Sequence, residues 1–322
     1  MSLMKTKHDR TSTFILLFMA FLACFTITQY CFQHDNYLVH KDDDTRTNVT
    51  FLYGAPNAEF DWCERNFLWS NFIAEPVNTF TGLFFIFLPI LGELLHLHIS
   101  LPFPAHLTLI FSGLIGVGTI LFHATLRYWA QLLDELPIYY LILLVVLELS
   151  NNDSTLIRTI TTLWAFCLSF LLFYLPQENF SHEIVRGCMS TSFTLCFVYT
   201  FYKISSRVNA MKEIKPERVN NESMKTFKKQ VQELFHYSFI FFVIAELCWL
   251  IDNSSCALLR TLPFYPHLHA IWHIFASSGM HGLFMCVVAL KWLPRNDQME
   301  IYWCYGILPR IQYTSMVQIK VE

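Results

Sequence analysis

Runs of about 20 apolar residues recur along most of this chain and limit what it can fold into. A helix needs about 20 predominantly apolar residues to cross the hydrocarbon core of a bilayer. Eight runs come close to that length, at roughly Thr13–Phe32, 72–92, 105–123, 131–149, 157–176, 187–203, 234–253 and 268–292. The chain is 54% hydrophobic and only 15% charged, where soluble domains carry about 25% charged residues, so the excess apolar surface calls for lipid. Backbone groups in lipid must be satisfied within the segment, which selects helices. The period-two alternation of a β-barrel is absent. The expected fold is an all-α membrane protein. A seven-transmembrane helix bundle spans residues 51–292, an extra N-terminal hydrophobic helix lies within residues 1–50, and a tail covers 293–322.

The first run follows Lys5, Lys7 and Arg10, as a signal peptide or a signal-anchor would. Its length favours the anchor. The polar stretch from Ser205 to Gln232 carries Arg207, Lys212, Lys215, Arg218, Lys225, Lys228 and Lys229, and the tail carries Lys291, Arg295, Arg310 and Lys320. The positive-inside rule puts both on the cytosolic side, C-terminus included. The expected location is an endoplasmic reticulum or Golgi membrane, with the plasma membrane as the other option. The same orientation makes the sequons at Asn48 and Asn179 lumenal and usable. Asn152 and Asn221 fall on the cytosolic side, and Asn253 sits too near the membrane. The 205–232 stretch reads as a solvated connector. A net charge of −3 offers no footprint for nucleic acid, and nothing implies an obligate protein partner.

Ionisable groups at membrane depth are costly and point to function. His123 ends the third run, Asp134 opens the fourth, and His269 and His273 open the last, all at one bilayer face. His269 and His273 are four residues apart and share a helix face. Such a pair alone is more often structural than a ligand set. With His123 and Asp134 at the same depth it becomes the open three-imidazole arrangement of a catalytic zinc ion. His267, two residues from His269, points elsewhere, and His281 lies nearby. Ten cysteines include no CxxC pair, which argues against a thiolate metal site.

A second polar group precedes the second run: Asp61, Glu64, Asn66 and, just inside it, Glu75. Hard oxygen ligands of this kind suit Ca2+. The same carboxylates equally suit an acidic helix start, with Asp61 as a plain N-cap. Cys63 and Cys256 both fall in lumenal loops, either bridged in an oxidising compartment or left as two thiols.

The residues Asp61-Trp62-Cys63-Glu64-Arg65-Asn66, Ala74-Glu75-Pro76-Val77-Asn78-Thr79, Phe122-His123-Ala124-Thr125-Leu126, Gln131-Leu132-Leu133-Asp134-Glu135, Trp249-Leu250-Ile251-Asp252-Asn253 and His269-Ala270-Ile271-Trp272-His273 run in this order over about residues 54–292. Together they resemble the alkaline ceramidases, within a superfamily of multi-span membrane zinc hydrolases. The resemblance leaves residues 1–50 unexplained. It implies zinc on His123, His269 and His273. It implies calcium on Asp61, the Trp62 backbone carbonyl, Glu64, Asn66 and Glu75, and a Cys63–Cys256 disulfide. The implied substrate is ceramide, drawn from among the membrane lipids and cleaved at its amide, with Asp134 as the proton-transferring group. Relatives usually carry Ser four residues before the first zinc histidine, where this chain has Thr119, which shares a helix face with His123 and is expected to help stabilise the oxyanion. The alternatives are a related hydrolase for another lipid and a non-catalytic seven-span lipid receptor.

Overall fold

The computed structural model describes residues 52–97, 99–150, 155–211, 221–292, 299–304 and 308–313. The Thr13–Phe32 run and the sequons at Asn48 and Asn152 lie outside the described residues. The helices are α1 (Pro76–Thr81), α2 (Phe84–Leu95), α3 (Phe103–Thr125), α4 (Tyr128–Leu149), α5 (Thr155–Tyr174), α6 (Phe180–Ala210), α7 (Asn221–Ser254), α8 (Cys256–Leu259) and α9 (Leu268–Val287). Six stretches are long and apolar enough to cross a membrane: 76–95, 103–125, 155–174, 180–210, 225–254 and 268–291. The chain is an integral membrane protein. The 22-residue helix α4 is long enough but falls outside these six. Its opening turns carry Gln131, Asp134 and Glu135, which offset the apolar residues that follow.

The chain divides into two compact units. In the smaller, helices α5 and α6 are joined by a turn in which the Ser181 N–H donates to Asn179 Oδ1 (3.0 Å) and the His182 N–H to the Asn179 carbonyl (2.8 Å). The sequon asparagine is thus an exposed cap.

The larger unit holds the end of α6 from Lys203 and the remaining helices, and small residues set its packing, as in membrane bundles generally. A Cβ on Gly118 would lie 2.2 Å from the Leu133 carbonyl oxygen. Pro137, having no N–H, leaves that carbonyl without its usual donor four residues on. The bare Gly118 backbone therefore lets α3 and α4 approach closely, next to Asp134. A Cβ on Gly282 would lie 2.3 Å from Ser238 Oγ, and one on Gly279 would lie 3.1 Å from the Phe242 ring, which seats α9 against α7. Within the apolar window of α9, 78% is buried, against 22–50% in the other five, so this helix is the most enclosed of the six.

Two features of the regions expected on the cytosolic side differ from the sequence reading. Helix α6 continues to Ala210 and α7 begins at Asn221, so the lysines from Lys225 to Lys229 are helical and the connector is shorter than 205–232. An exposed Lys229–Glu233 pair at 3.6 Å lies along that helix. The expected tail contains an antiparallel hairpin, β1 (Met299–Cys304) and β2 (Leu308–Tyr313), with Ile301 opposite Ile311. Both isoleucines are buried. The Ile301 N–H donates to Gln230 Oε1 (3.0 Å) and the Ile311 N–H to His96 Nε2 (3.0 Å). The apolar residues alternate along the strands, a period that a search for 20-residue runs overlooks.

Candidate metal centre

His123 comes from the last turn of α3, and His269 and His273 from the first turns of α9. Their ring centroids are 5.1 Å (His123–His269), 5.0 Å (His123–His273) and 4.7 Å (His269–His273) apart. One ligand nitrogen from each lies within 4.8 Å of the others, and all three residues are buried. Such a group could hold a metal ion. His267 stays outside the group as the residue before α9, and His281 lies two turns further along that helix.

The fit to a metal is in the hydrogen bonds. His123 Nδ1 meets Glu75 Oε2 with both side chains fully buried. His273 Nδ1 meets Thr81 Oγ1 at 2.7 Å, and the Thr81 hydroxyl is placed to donate to the Val77 carbonyl at 3.0 Å. The Thr81 contact places the proton on Nδ1 of His273, and an ionised Glu75 does the same for His123, which leaves the Nε2 lone pairs bare. His123 Nε2, His273 Nε2 and His269 Nδ1 are all buried with no hydrogen-bond partner. Buried polar atoms are ordinarily satisfied, so three orphaned imidazole nitrogens in one place fit a cation. An outer carboxylate or hydroxyl on the far nitrogen is the usual support for a metal-binding histidine.

The surroundings hold this triangle in strained backbone. The non-glycine residues with positive φ among the described residues are Phe67 (55°), Leu126 (48°) and His267 (47°). Leu126 and His267 flank the site histidines in sequence, where such strain tends to collect, and Phe67 lies in the loop before Glu75, its N–H on the Ala74 carbonyl. Leu126 closes α3 in the left-handed region, and α4 begins two residues later at Tyr128. That tight reversal brings Asp134 back alongside Thr119, and Thr119 Oγ1 lies 2.5 Å from Asp134 Oδ1. The same oxygen lies 2.8 Å from the Ile115 carbonyl. A hydroxyl has one proton, so Thr119 is engaged with Asp134 and its own helix. In this structure its one proton is thus shared between the acid and its own helix.

Residues 55–75 lie over this turn. The Glu75 N–H donates to the His123 carbonyl (2.9 Å), the Ala74 N–H to that of Ala124 (3.0 Å), and the Asn57 N–H to that of Leu126 (3.0 Å). Glu64 caps α1: its Oε1 accepts the Val77 N–H (2.8 Å) and its Oε2 the Asn78 N–H (2.9 Å). Asp61 accepts from Asn66 Nδ2 at 2.9 and 3.1 Å. The Trp62 N–H donates to Glu75 Oε1 (3.1 Å). Burial, with the charge of Glu75 nearby, pushes Glu64 up to about 7, and burial pushes Glu75 up to about 8. The expected calcium residues are thus neighbours, yet their oxygens face N–H donors. Among the described residues the three histidines form the one group of three or more His, Cys, Asp or Glu with ligand atoms this close. Glu75 joins the two sets, through its contact with His123.

Cys63 and Cys256 form a disulfide, with Cα atoms 5.3 Å apart. Beside it the Cys63 N–H donates to Asp252 Oδ2 (3.2 Å), and Tyr265 Oη donates to Asp252 Oδ1 (3.0 Å). Three contributors escaped the residue-by-residue reading. Asp252 ties the disulfide loop to α7, Thr81 orients His273, and Asn78 Nδ2 donates to Glu75 Oε2 (3.2 Å). Asp252 and Asn78 sat in quoted motifs without a role. Thr81 is an ordinary helix hydroxyl in sequence and carries no signal.

The ceramidase family's sequence profile matches residues 54–312, a stretch that contains the whole centre. Alkaline ceramidase 1 of Mus musculus is 29% identical over 273 residues, covering 80% of this chain and 90% of its own. Alkaline ceramidase 1 of Homo sapiens is 28% identical over 274 residues (78% and 91%), and alkaline ceramidase 3 of Mus musculus is 26% identical over 279 residues (81% and 94%). With four-fifths of its length matched and every residue of the centre inside the match, the chain belongs to the ceramidase family.

Proposed function

We propose that this protein is a zinc-dependent amidohydrolase that cleaves the N-acyl amide of ceramide within the membrane, releasing a sphingoid base and a fatty acid. The carrying observation is the convergence of three buried imidazole nitrogens without protein partners. Neutral imidazoles with no thiolate suit zinc. No fourth His, Cys, Asp or Glu joins the group among the described residues, which is the open form of a catalytic site and not the closed form of a structural one. That favours an enzyme over a seven-span receptor.

Bound there, zinc supplies Lewis acidity for the amide carbonyl and for an attacking water. The chain's own residues do the rest. Glu75 and Thr81 fix the tautomers of His123 and His273. Asp134, held by Thr119, takes the proton of the attacking water and returns it to the leaving amine. The short α3–α4 turn keeps acid and imidazole together at one end of the bundle, where the amide of a membrane lipid lies with its alkyl chains in apolar surroundings. In this reading α4 is a seventh span and the hairpin end faces the cytosol, an orientation that the Lys and Arg distribution supports, in an endoplasmic reticulum or Golgi membrane.

Calcium on Asp61, the Trp62 carbonyl, Glu64, Asn66 and Glu75 is a second metal reading. It is favoured by the two glutamates whose protons are held on by burial and by nearby carboxylates, Glu75 for Glu64 and Asp252 for Glu75, because a cation would offset that cost of ionisation.

Metal content and ceramide hydrolysis, measured in detergent before and after chelation, test the main reading. One zinc per chain and loss of turnover on stripping are expected. Undiminished turnover by the stripped protein would sink it. A panel of ceramides and lipid esters separates a ceramidase from a hydrolase of another lipid.

A further inference from the structure

Trp62 sets an indole ring against the metal centre and carries a donor that the protein does not use. The ring stacks on His269 with centroids 3.7 Å apart and planes 17° from parallel, and meets Trp249 edge-on at 5.4 Å. Trp62 is 8% exposed. Its Nε1 is buried with no hydrogen-bond partner, although buried tryptophan N–H groups usually find one.

The ring is held by its stack on His269 and its edge contact with Trp249, and the backbone that carries it is fixed as well. The Trp62 backbone N–H is fixed on Glu75 Oε1 at 3.1 Å. The next residue, Cys63, is held by the disulfide to Cys256 and by its N–H on Asp252 at 3.2 Å. An unpaired buried donor held this firmly is a donor reserved for a ligand, since leaving it unpaired is otherwise costly. Thr119 has no spare proton to offer, because Asp134 and the Ile115 carbonyl already claim its hydroxyl.

We infer that the Trp62 indole N–H donates a hydrogen bond to the oxygen of the scissile amide as negative charge develops on it. The inference rests on the amidase reading above. Water oxygen bonds to the amide carbon, the C=O π pair moves onto oxygen, and Asp134 receives the water's proton. When that pair returns, the C–N bond breaks, the nitrogen takes the proton from Asp134, and acid and amine leave. The indole keeps its proton throughout and acts only by stabilising charge. Trp62 is then a catalytic residue through its side chain, whatever its backbone carbonyl binds.

The test replaces Trp62 with 3-benzothienylalanine, which keeps the shape and exchanges N–H for sulfur, and separately makes Trp62→Phe. In the isostere, zinc content and thermal midpoint should match the wild type while kcat falls about 10²-fold with KM little changed, the usual loss for one oxyanion donor. Affinity for a phosphonate analogue of the tetrahedral state should fall with kcat, while affinity for a non-hydrolysable ceramide ether should not. Trp62→Phe should show the same split. If the isostere turns over within twofold of the wild type, or loses both ligands equally, the donor role is wrong and the amidase reading survives. An inactive wild type would overturn the amidase reading, and this donor with it.

Discussion

Two sets of buried histidines sit at opposite ends of α2 and α9 and use their nitrogens differently. His96, 2% exposed, sets Nδ1 on the Gly92 carbonyl (2.6 Å) and accepts the Ile311 N–H on Nε2 (3.0 Å). Both nitrogens are engaged by the fold, and the ring clips the hairpin to the bundle. His123, His269 and His273 are as deeply buried, and each keeps one nitrogen that nothing in the protein accepts or donates to. Burial alone therefore says little about a histidine's role. The informative quantity is the lone pair left over after the fold has been satisfied, and whether several meet. His281 shows the second condition: its Nε2 is buried and unpartnered, but it belongs to no group of three.

The comparison breaks most easily at His273. His273→Ala should lose zinc and lower ceramide turnover by about 10³-fold or more, since a metal Lewis acid contributes several kcal/mol at about 1.4 kcal/mol per tenfold. His96→Ala should leave zinc content and turnover near wild type while costing about 1–3 kcal/mol of stability, because the Ile311 N–H loses its acceptor. Metal analysis, turnover and melting of both variants are the measurements. Zinc loss from His96→Ala would erase the distinction.

Asp134→Asn should come next, with zinc retained and kcat reduced about 10²–10⁴-fold, the usual range for a positioned general base. Glu75→Gln asks how much the outer partner of His123 matters. Zinc affinity, read by competition with a chelator, should weaken about 10–100-fold. An unchanged affinity would mean that the strained backbone alone orients the ring.

Much of the site was legible in the sequence because helix periodicity carries it. Spacing put His269 and His273 on one face, and counting spans put His123 and Asp134 at the same level, where the structure has them. The helical fold was legible too, since lipid leaves the backbone few choices. What stayed hidden depends on tertiary contact. Thr81 became a partner of His273 only by the packing of α1 on α9. The clip at His96 needed a hairpin 215 residues away. The carboxylates at Asp61 and Glu64 offered both a calcium site and a helix cap, and the choice turned on which atoms their oxygens meet.

That last choice yields the mildest prediction. Burial raises Glu64 to about 7 and Glu75 to about 8, from 4.5 when unfolded. Between pH 4.5 and 8 the folded protein thus holds more protons than the unfolded chain, so stability should fall as pH rises through that window. Melting in chelator from pH 5 to 8 should show the midpoint falling steadily as the pH rises. Glu64→Gln should melt lower at pH 5, having lost a capping acceptor for an N–H of α1, yet fall less on the way to pH 8. If calcium binds here it favours the ionised carboxylates, and adding it at pH 8 should recover the lost degrees in the wild type and recover less in Glu64→Gln. A midpoint at pH 8 indifferent to calcium would leave Glu64 as a helix cap and Glu75 as the support of His123, with no second metal.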